Sequence, residues 1–206
     1  MFIPTLLEGQ VAVVTGGGTG IGLAIAKRLG ELGARIAVAS RNSEHLEKGT
    51  AELRHAGQDP LAVQLDVRNP EQVDEMVTRV TRHFGKIDIL INNAAGNFVC
   101  RAEELSPNGW NSVINIVLNG SFYCSRAVGR HMIQRGGGGT WCSVDPERRT
   151  FWHRPRTKQK KHRTAGQGGP KTLPAALWQA LLARRLPWRN ARAAGPTALR
   201  RPDTVL

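Results

Sequence analysis

The chain has 206 residues, a formal net charge of +13 and three cysteines. This length fits one domain, or one domain with a tail, and three cysteines without close pairing argue against a disulfide framework or a Cys-x-x-Cys site. The charge is segregated, because 15 of the 29 Lys and Arg residues but only 3 of the 16 Asp and Glu residues follow residue 140. The basic character that often indicates a nucleic-acid or anionic-membrane partner therefore belongs to residues 141–206.

Short apolar runs alternate with helix-period segments along the first 140 residues. Four buried strands are predicted at residues 10–15, 35–40, 61–67 and 87–92. Helices are predicted from about Gly20 to Gly33, from an N-cap at Ser43 to about Ala56, and from an N-cap at Asn69 with Pro70 in the first turn to Phe84. A last helix is predicted from Ser106-Pro107 toward Arg135, with a break at Gly120 or Gly129. This order predicts a Rossmann-type, doubly wound α/β fold with an incomplete parallel sheet of about four strands and ligands at their carboxyl ends.

The segment TGGGTGIG joins the first predicted strand to the first helix. A glycine at 16 allows a tight turn, a glycine at 20 allows the backbone to approach a pyrophosphate, and a glycine at 22 allows close helix packing. Amide groups at the helix start also favour an anion. A flexible turn is the alternative, but the position between strand and helix predicts a dinucleotide site formed by Thr15, Gly16, Gly17, Gly18, Thr19, Gly20, Ile21 and Gly22.

The spacing Thr-Gly-x-x-x-Gly-x-Gly resembles that of the short-chain dehydrogenase/reductase family. The segment INNAAG at residues 91–96 supports the match, since the family carries an Asn-Asn-Ala-Gly-like segment after its fourth strand. The resemblance spans about residues 7–140. It implies a usually homo-oligomeric oxidoreductase with a nicotinamide cofactor, whose binding site includes Asn93 and Ala94.

The end of the second predicted strand bears on the choice of cofactor. An acidic residue there would bind the ribose 2′-hydroxyl, whereas an arginine accommodates a 2′-phosphate. The chain has Ser40 and Arg41 with no acid nearby, which predicts NADP(H), although Arg41 as a solvated loop charge is the alternative. By resemblance, Asp66 contacts the adenine ring beside Val67; a turn or cap aspartate is the alternative.

A narrower resemblance lies in NNAAGNF and in ELSPNGWNSVINIVLNGSF, which are similar to the 2,4-dienoyl-CoA reductases and the neighbouring trans-2-enoyl-CoA reductases. It implies NADPH-dependent reduction of an acyl-CoA thioester. Arg68 and Ser106 would then contact the CoA part, Asn97 the thioester region and Phe98 the acyl chain. The alternatives are a surface charge for Arg68, a helix cap for Ser106, a core position for Phe98, and a generic member of the family.

The catalytic residues that the family supplies after its fifth strand are missing. These are a tyrosine, a lysine four residues on, and a serine; the tyrosine acts as the acid in hydride transfer. The single tyrosine, Tyr123, lies in the predicted fourth helix, and no Tyr-x-x-x-Lys occurs in the chain. The dienoyl-CoA reductases space the pair differently but still need a tyrosine in this later region. We therefore predict no catalytic residue in this chain and an absence of activity.

Residues 141–206 do not continue the α/β pattern. The segment TWCSV keeps a trace of a fifth strand before Asp145-Pro146. We predict an NADP(H)-binding domain at 1–140 and a Pro/Arg-rich basic tail at 141–206. The tail could be a disordered arm that binds nucleic acid through residues 154–163, which would make the chain a non-catalytic binding protein. It could instead form an amphipathic basic helix at 173–186, or result from a reading-frame change, which we favour because the switch falls inside an expected strand.

The first and last residues of the chain do not resemble known targeting signals. The segment MFIPTLLEGQ lacks a basic start, and Pro4 and Glu8 interrupt its apolar run, unlike a secretory signal. No stretch approaches the roughly 18 apolar residues of a membrane span, and the final Thr-Val-Leu differs from the peroxisomal Ser-Lys-Leu. We therefore expect a cytoplasmic protein.

Overall fold

Six strands form one sheet in the part of the chain that the computed structural model describes, which is residues 3–96 and 100–144 with the backbone of Phe151–His153. The strands are β1 Val11–Thr15, β2 Arg35–Ser40, β3 Leu61–Gln64, β4 Ile89–Asn92, β5 Thr140–Ser143 and β6 Phe151–His153. Their order is β3-β2-β1-β4-β5-β6. The first five strands are parallel, and β6 is antiparallel to β5.

The helices of the described segments are α1 Gly20–Glu31, α2 Ser43–His55, α3 Pro70–Phe84, α4 Pro107–Ile114 and α5 Gly120–Arg135. A short 3₁₀ turn covers Ala102–Glu104, and a π-helical turn at Asn115–Asn119 joins α4 to α5. Of the two predicted positions for a break, Gly120 and Gly129, the structure has the change at Gly120, where the π-helical turn ends and α5 begins. None of the described helices is long and apolar enough to cross a membrane.

The core lies between the sheet and its helices. All five residues of β1 are buried, as expected for a central parallel strand covered on both faces. On one face, α3 and α5 contact each other and contribute Val73, Met76, Val80, Cys124, Val128 and Met132 to the core. The predicted site residues lie at the carboxyl ends of β1, β2, β3 and β4.

The Rossmann-type parallel sheet is confirmed, but its strand number differs from the predicted four. Thr140–Ser143 pairs in parallel with Ile89–Asn92, and Cys142 is 1% exposed. Because β4 presents a free row of backbone hydrogen-bonding groups and a cysteine packs as a small apolar residue, this short segment forms a strand without the expected Ile and Val. The predicted tail otherwise lies outside the described residues, and the boundary at residue 140 stays a prediction.

The structure also corrects one predicted helix cap. Asn42 is the N-cap of α2, where the sequence favoured Ser43, and its side chain accepts hydrogen bonds from the N–H groups of Glu44 and His45. The predicted cap at Asn69 with Pro70 in the first turn is confirmed for α3. Adjacent polar residues compete for the same role at a helix start, which explains a shift of one residue.

Candidate functional site

The glycine loop leaves the carboxyl end of β1 in a backbone conformation that requires glycine. Gly16 has a φ of +65°, and its N–H donates to the carbonyl of Ala39 at 2.7 Å. A Cβ at Gly16 would lie 2.9 Å from Asn93 Nδ2. The tight turn predicted at Gly16 therefore follows from both backbone geometry and close packing.

Three further glycines of the loop, Gly17, Gly18 and Gly22, pack closely against neighbouring backbone. A Cβ at Gly22 would collide with the carbonyl oxygen of Gly16 and with Asn93 Nδ2. A Cβ at Gly18 would lie 2.6 Å from the carbonyl oxygen of His45 in α2, and one at Gly17 would lie 2.8 Å from that of Val14. The loop is thus held between β1, α2 and the segment after β4, with no room for a side chain at Gly17, Gly18 or Gly22.

The start of α1 has the geometry of an anion site. Within the described residues, the N-cap Thr19 makes no side-chain hydrogen bond to the first turn. Gly20 has a φ of +54°, and a Cβ there would meet nothing within 4 Å. Ile21 beside it is 53% exposed. Uncapped N–H groups at the positive end of the helix dipole, next to open space at Gly20, fit the pyrophosphate of a dinucleotide.

Hydrogen bonds connect Thr15, at the end of β1, to the segment that follows β4. The Thr15 hydroxyl donates to the carbonyl of Ile91 at 3.3 Å and accepts from the N–H groups of Asn93 and Ala94, both at 3.0 Å. Asn93 Nδ2 donates to the carbonyl oxygens of Thr15 and Gly16 at 3.0 and 3.2 Å. The Asn93 side-chain amide therefore holds the start of the glycine loop in place.

The ends of β2 and β3 meet at a second part of the site. Half-buried Ser40 ends β2, and the carbonyl of the exposed Arg41 accepts a hydrogen bond from Gln64 Nε2 at 3.2 Å. Arg41 and Asp66 line one cavity of about 540 Å³ at the edge of β3. The other lining residues are Val63, Gln64, Gln72, Glu75, Met76 and Arg79.

Asp66 and Arg68 form an ion pair at the rim of this cavity. Arg68 Nη2 lies 2.5 Å from Asp66 Oδ2, and Arg68 Nε lies 3.0 Å from both carboxylate oxygens. The hydrogen bond from the Arg68 guanidinium lowers the pKa of Asp66 below its usual 3.8; burial opposes this, while the Arg68 backbone N–H and the charges of Arg68 and Arg41 add to it. Asp66 is therefore an ionised acceptor at neutral pH.

The other predicted residues divide between packing, capping and positions outside the described segments. Val67 is 5% exposed and packs against Gly120. The Ser106 hydroxyl accepts from the N–H of Gly109 at 3.0 Å, so it is the N-cap of α4. Asn97 and Phe98 lie outside the described residues. Their substrate roles, like the CoA roles of Arg68 and Ser106, stay predictions.

Two buried thiols lie near the carboxyl half of the sheet, and neither suits nucleophilic chemistry. Burial raises the pKa of Cys124 to about 12 and that of Cys142 to about 11. Tyr123, the single tyrosine of the chain, packs partly buried against the core on α5. No group of His, Cys, Asp and Glu side chains suited to a metal ion occurs in the described segments.

A comparison with family models assigns the fold to a known group. The model described as short chain dehydrogenase matches residues 10–140. The chain belongs to the short-chain dehydrogenase family. Its glycine loop, Asn93 segment and parallel sheet all lie within the matched residues.

Individual relatives agree with this assignment. A probable 2,4-dienoyl-CoA reductase of Bacillus subtilis is 45% identical over 129 residues, 63% of this chain and 51% of the relative. The crystal structure of a short-chain dehydrogenase from Bacillus anthracis is 47% identical with a TM-score of 0.64, and the match covers 66% of this chain and 57% of that one. The 3-ketoacyl-(acyl-carrier-protein) reductase of Brucella melitensis, complexed with NADH, is 33% identical with a TM-score of 0.58 and covers 63% of this chain and 52% of that one.

These matches confirm the predicted family and the resemblance to its dienoyl-CoA reductase branch. The chain spans about half the length of the Bacillus subtilis relative.

Gln72 belongs to the site but was not predicted from the sequence. Its Oε1 accepts the N–H of Asp66 at 2.9 Å. The cap at Asn69 offered a signal, because it places Gln72 in the first turn of α3, beside the end of β3.

Proposed function

We propose that this short-chain dehydrogenase binds the adenosine end of NADP(H). The observation that carries the proposal is the position of Arg41, which follows β2 directly and shares a cavity with Asp66. A guanidinium at this place can pair with a 2′-phosphate, whereas a short-chain dehydrogenase selective for NAD(H) would be expected to have an acidic residue there.

Each part of the site would hold one part of the cofactor. The N–H groups at the start of α1 would bind the pyrophosphate above Gly20, Arg41 the 2′-phosphate, and Asp66 the amino group of adenine. Thr15 and Asn93 would keep the loop in shape through their hydrogen bonds. When bound, the nicotinamide supplies a hydride.

We further propose that the chain derives from reductases of unsaturated acyl-CoA thioesters but does not turn them over. The similarity to the Bacillus subtilis 2,4-dienoyl-CoA reductase supports the substrate class. The loss of turnover is supported by the absence of tyrosine from residues 141–206. A reduction of this kind needs an acid positioned at the reacting group, and Tyr123 is packed against the core instead.

Titration calorimetry of the full chain with 2′,5′-ADP and 5′-AMP tests the cofactor proposal. We expect a preference for 2′,5′-ADP that Arg41→Ala removes, with a loss of roughly 1.5 to 3 kcal/mol for a charge-assisted hydrogen bond. Arg79→Ala is the matched control: it removes the same charge from the same cavity, but Arg79 donates to the carbonyl of Ala62. Equal affinity of the parent chain for both ligands would contradict the NADP(H) assignment, and binding of neither would contradict a cofactor site.

A second proposal rests on the charge segregation. With 15 of the 29 basic residues after residue 140, that segment could bind nucleic acid or an acidic surface without catalysis. Such a complex should weaken steeply as salt rises, because binding releases condensed counterions. A titration with single-stranded DNA at low and moderate salt tests this, and the absence of a complex at low salt would exclude it.

A further inference from the structure

We propose that Arg68 is a positioning residue of the cofactor site, which orients the Asp66 carboxylate for the amino group of adenine. This inference rests on the proposed NADP(H) function. It gives Arg68 a role toward the cofactor, beside the contact with the CoA part of a substrate that the resemblance implied.

The hydrogen bonds between the two residues fix the carboxylate in place. Besides the guanidinium contacts, the backbone N–H of Arg68 donates to Asp66 Oδ1 at 3.0 Å. Three hydrogens of Arg68, those on N, Nε and Nη2, therefore serve the two oxygens of Asp66. A carboxylate has about four acceptor sites, and because the single Nε hydrogen is shared between Oδ1 and Oδ2, these three donors leave room for about one ligand donor.

The backbone of Asp66 is held as well. Its N–H donates to Gln72 Oε1 at 2.9 Å, and its carbonyl accepts from the N–H of Asn69 at 3.0 Å. With backbone and carboxylate both held, the open acceptor of Asp66 has a defined direction. An exocyclic amino group provides a donor that suits one such acceptor, whereas a carbonyl in the same position has none to offer.

The ion pair also makes Arg68 a weaker partner for a substrate phosphate. Its charge is balanced by Asp66, whose side chain is 23% exposed against 44% for Arg68. Arg41 lines the same cavity as Asp66, and its backbone carbonyl accepts a hydrogen bond from Gln64. The two arginines thus have different roles: Arg41 is placed for a phosphate and Arg68 for Asp66.

The test compares adenosine 2′,5′-diphosphate with inosine 2′,5′-diphosphate, which carries a carbonyl where adenine has its amino group. We expect the parent chain to prefer the adenosine ligand about tenfold, and Arg68→Met and Asp66→Ala each to remove most of that preference. The double variant should be no worse than Asp66→Ala, because Arg68 acts through Asp66. Arg68→Lys should restore part of the preference, since an ammonium still pairs with one oxygen.

A second measurement separates the possible failures. Arg68→Met should still prefer 2′,5′-ADP over 5′-AMP, by less than the parent because its unpaired Asp66 carboxylate repels the 2′-phosphate, and this remaining preference shows that the fold and the phosphate site are intact. An unchanged base preference in Arg68→Met, or none in the parent, would overturn the role of Arg68 while leaving the NADP(H) proposal standing. A parent chain that binds neither diphosphate would overturn both.

Discussion

Asn93 donates two hydrogen bonds to Thr15, one from its backbone and one from its side chain. The backbone N–H of Asn93 donates to the Thr15 hydroxyl, and the Asn93 side-chain amide donates to the Thr15 carbonyl, both at 3.0 Å. Thr15 ends β1 and Asn93 follows β4, the neighbouring strand, so the contact joins residues 78 apart in sequence. This link joins the glycine loop to the sheet before any cofactor binds.

We expect Thr15→Val to destabilise the fold by roughly 1 to 3 kcal/mol, because the variant leaves the N–H groups of Asn93 and Ala94 without their acceptor. Thr15 is 1% exposed, so water is a poor replacement. Thr15→Ser keeps the hydroxyl and should cost far less. Urea unfolding followed by tryptophan fluorescence measures the difference, and equal midpoints for the two variants would show that the hydroxyl contributes little.

The sequence predicted the parts of the site that backbone geometry dictates. Gly16, Gly20 and Gly22 each have a distinct steric reason, and such reasons are visible from the spacing between one strand and one helix. The Asp66–Arg68 pair was not predicted, because Asp66 was considered as a ligand contact or a cap and Arg68 as a ligand contact or a surface charge, and neither was considered as the partner of the other. Opposite charges only two residues apart in sequence are well placed to pair with each other.

The fifth strand was underestimated for a different reason. Trp141 and Cys142 lack strong strand propensity, and Asp145-Pro146 follows closely. Pairing with β4 is a long-range effect that a local pattern does not contain, so tertiary context overrode propensity.

Two glycines provide a matched pair of substitutions. Gly22→Ala introduces a methyl group against the Gly16 carbonyl and Asn93 Nδ2, whereas a Cβ at Gly129 in the interior of α5 meets nothing within 4 Å. We expect Gly22→Ala to abolish 2′,5′-ADP binding and to lower the melting temperature. Gly129→Ala should leave binding intact and stabilise the fold by roughly 0.5 to 1 kcal/mol, as alanine favours a helix over glycine. Similar melting temperatures for both variants would contradict the packing at Gly22.

We expect the chain to self-associate through an exposed apolar surface on α4, the π-helical turn and α5. Trp110 is 56% exposed, Leu118 62%, Phe122 58% and Ile133 60%. Apolar side chains exposed along one helical segment favour association. Phe122→Glu should shift sedimentation toward smaller species, while Thr78→Glu on the exposed side of α3 adds the same charge elsewhere and should not. A parent chain that sediments as a monomer at all concentrations would refute this.

Turnover of an unsaturated acyl-CoA should be undetectable. The expected loss from general acid catalysis alone is about 10²- to 10⁴-fold, and a poorly held nicotinamide would add to it. The measurement is NADPH oxidation with a 2,4-dienoyl-CoA, with the Bacillus subtilis relative as the positive control. Turnover by this chain at a rate comparable to the control would reveal a proton donor other than tyrosine after β5.

His131 joins α5 to the segment that precedes β4. Its Nε2 accepts the backbone N–H of Ile87 at 3.3 Å, a bond that only the neutral ring can accept. Burial lowers the pKa of His131 below the usual 6.5, and the charge of Arg135 lowers it further, while the charge of Asp88 opposes the shift. The folded state therefore binds this proton less readily than the unfolded state.

Stability should consequently fall as the pH drops below about 6.5. Above that pH the ring is neutral in both states and its contribution is fully present; below it the unfolded chain takes up the proton first, and the contribution is lost as the pH approaches the folded pKa. His131→Gln offers a non-titrating acceptor to Ile87, so its melting temperature should change less than that of the parent between pH 7.5 and about 5.5. Thermal melts of both chains across this range are the measurement. Asp66 should not affect stability between pH 7.5 and about 5.5, because its pKa is lowered from the usual 3.8 and its contribution is lost only at more acidic pH. Parallel pH profiles of the parent and His131→Gln would mean that His131 does not cause the loss.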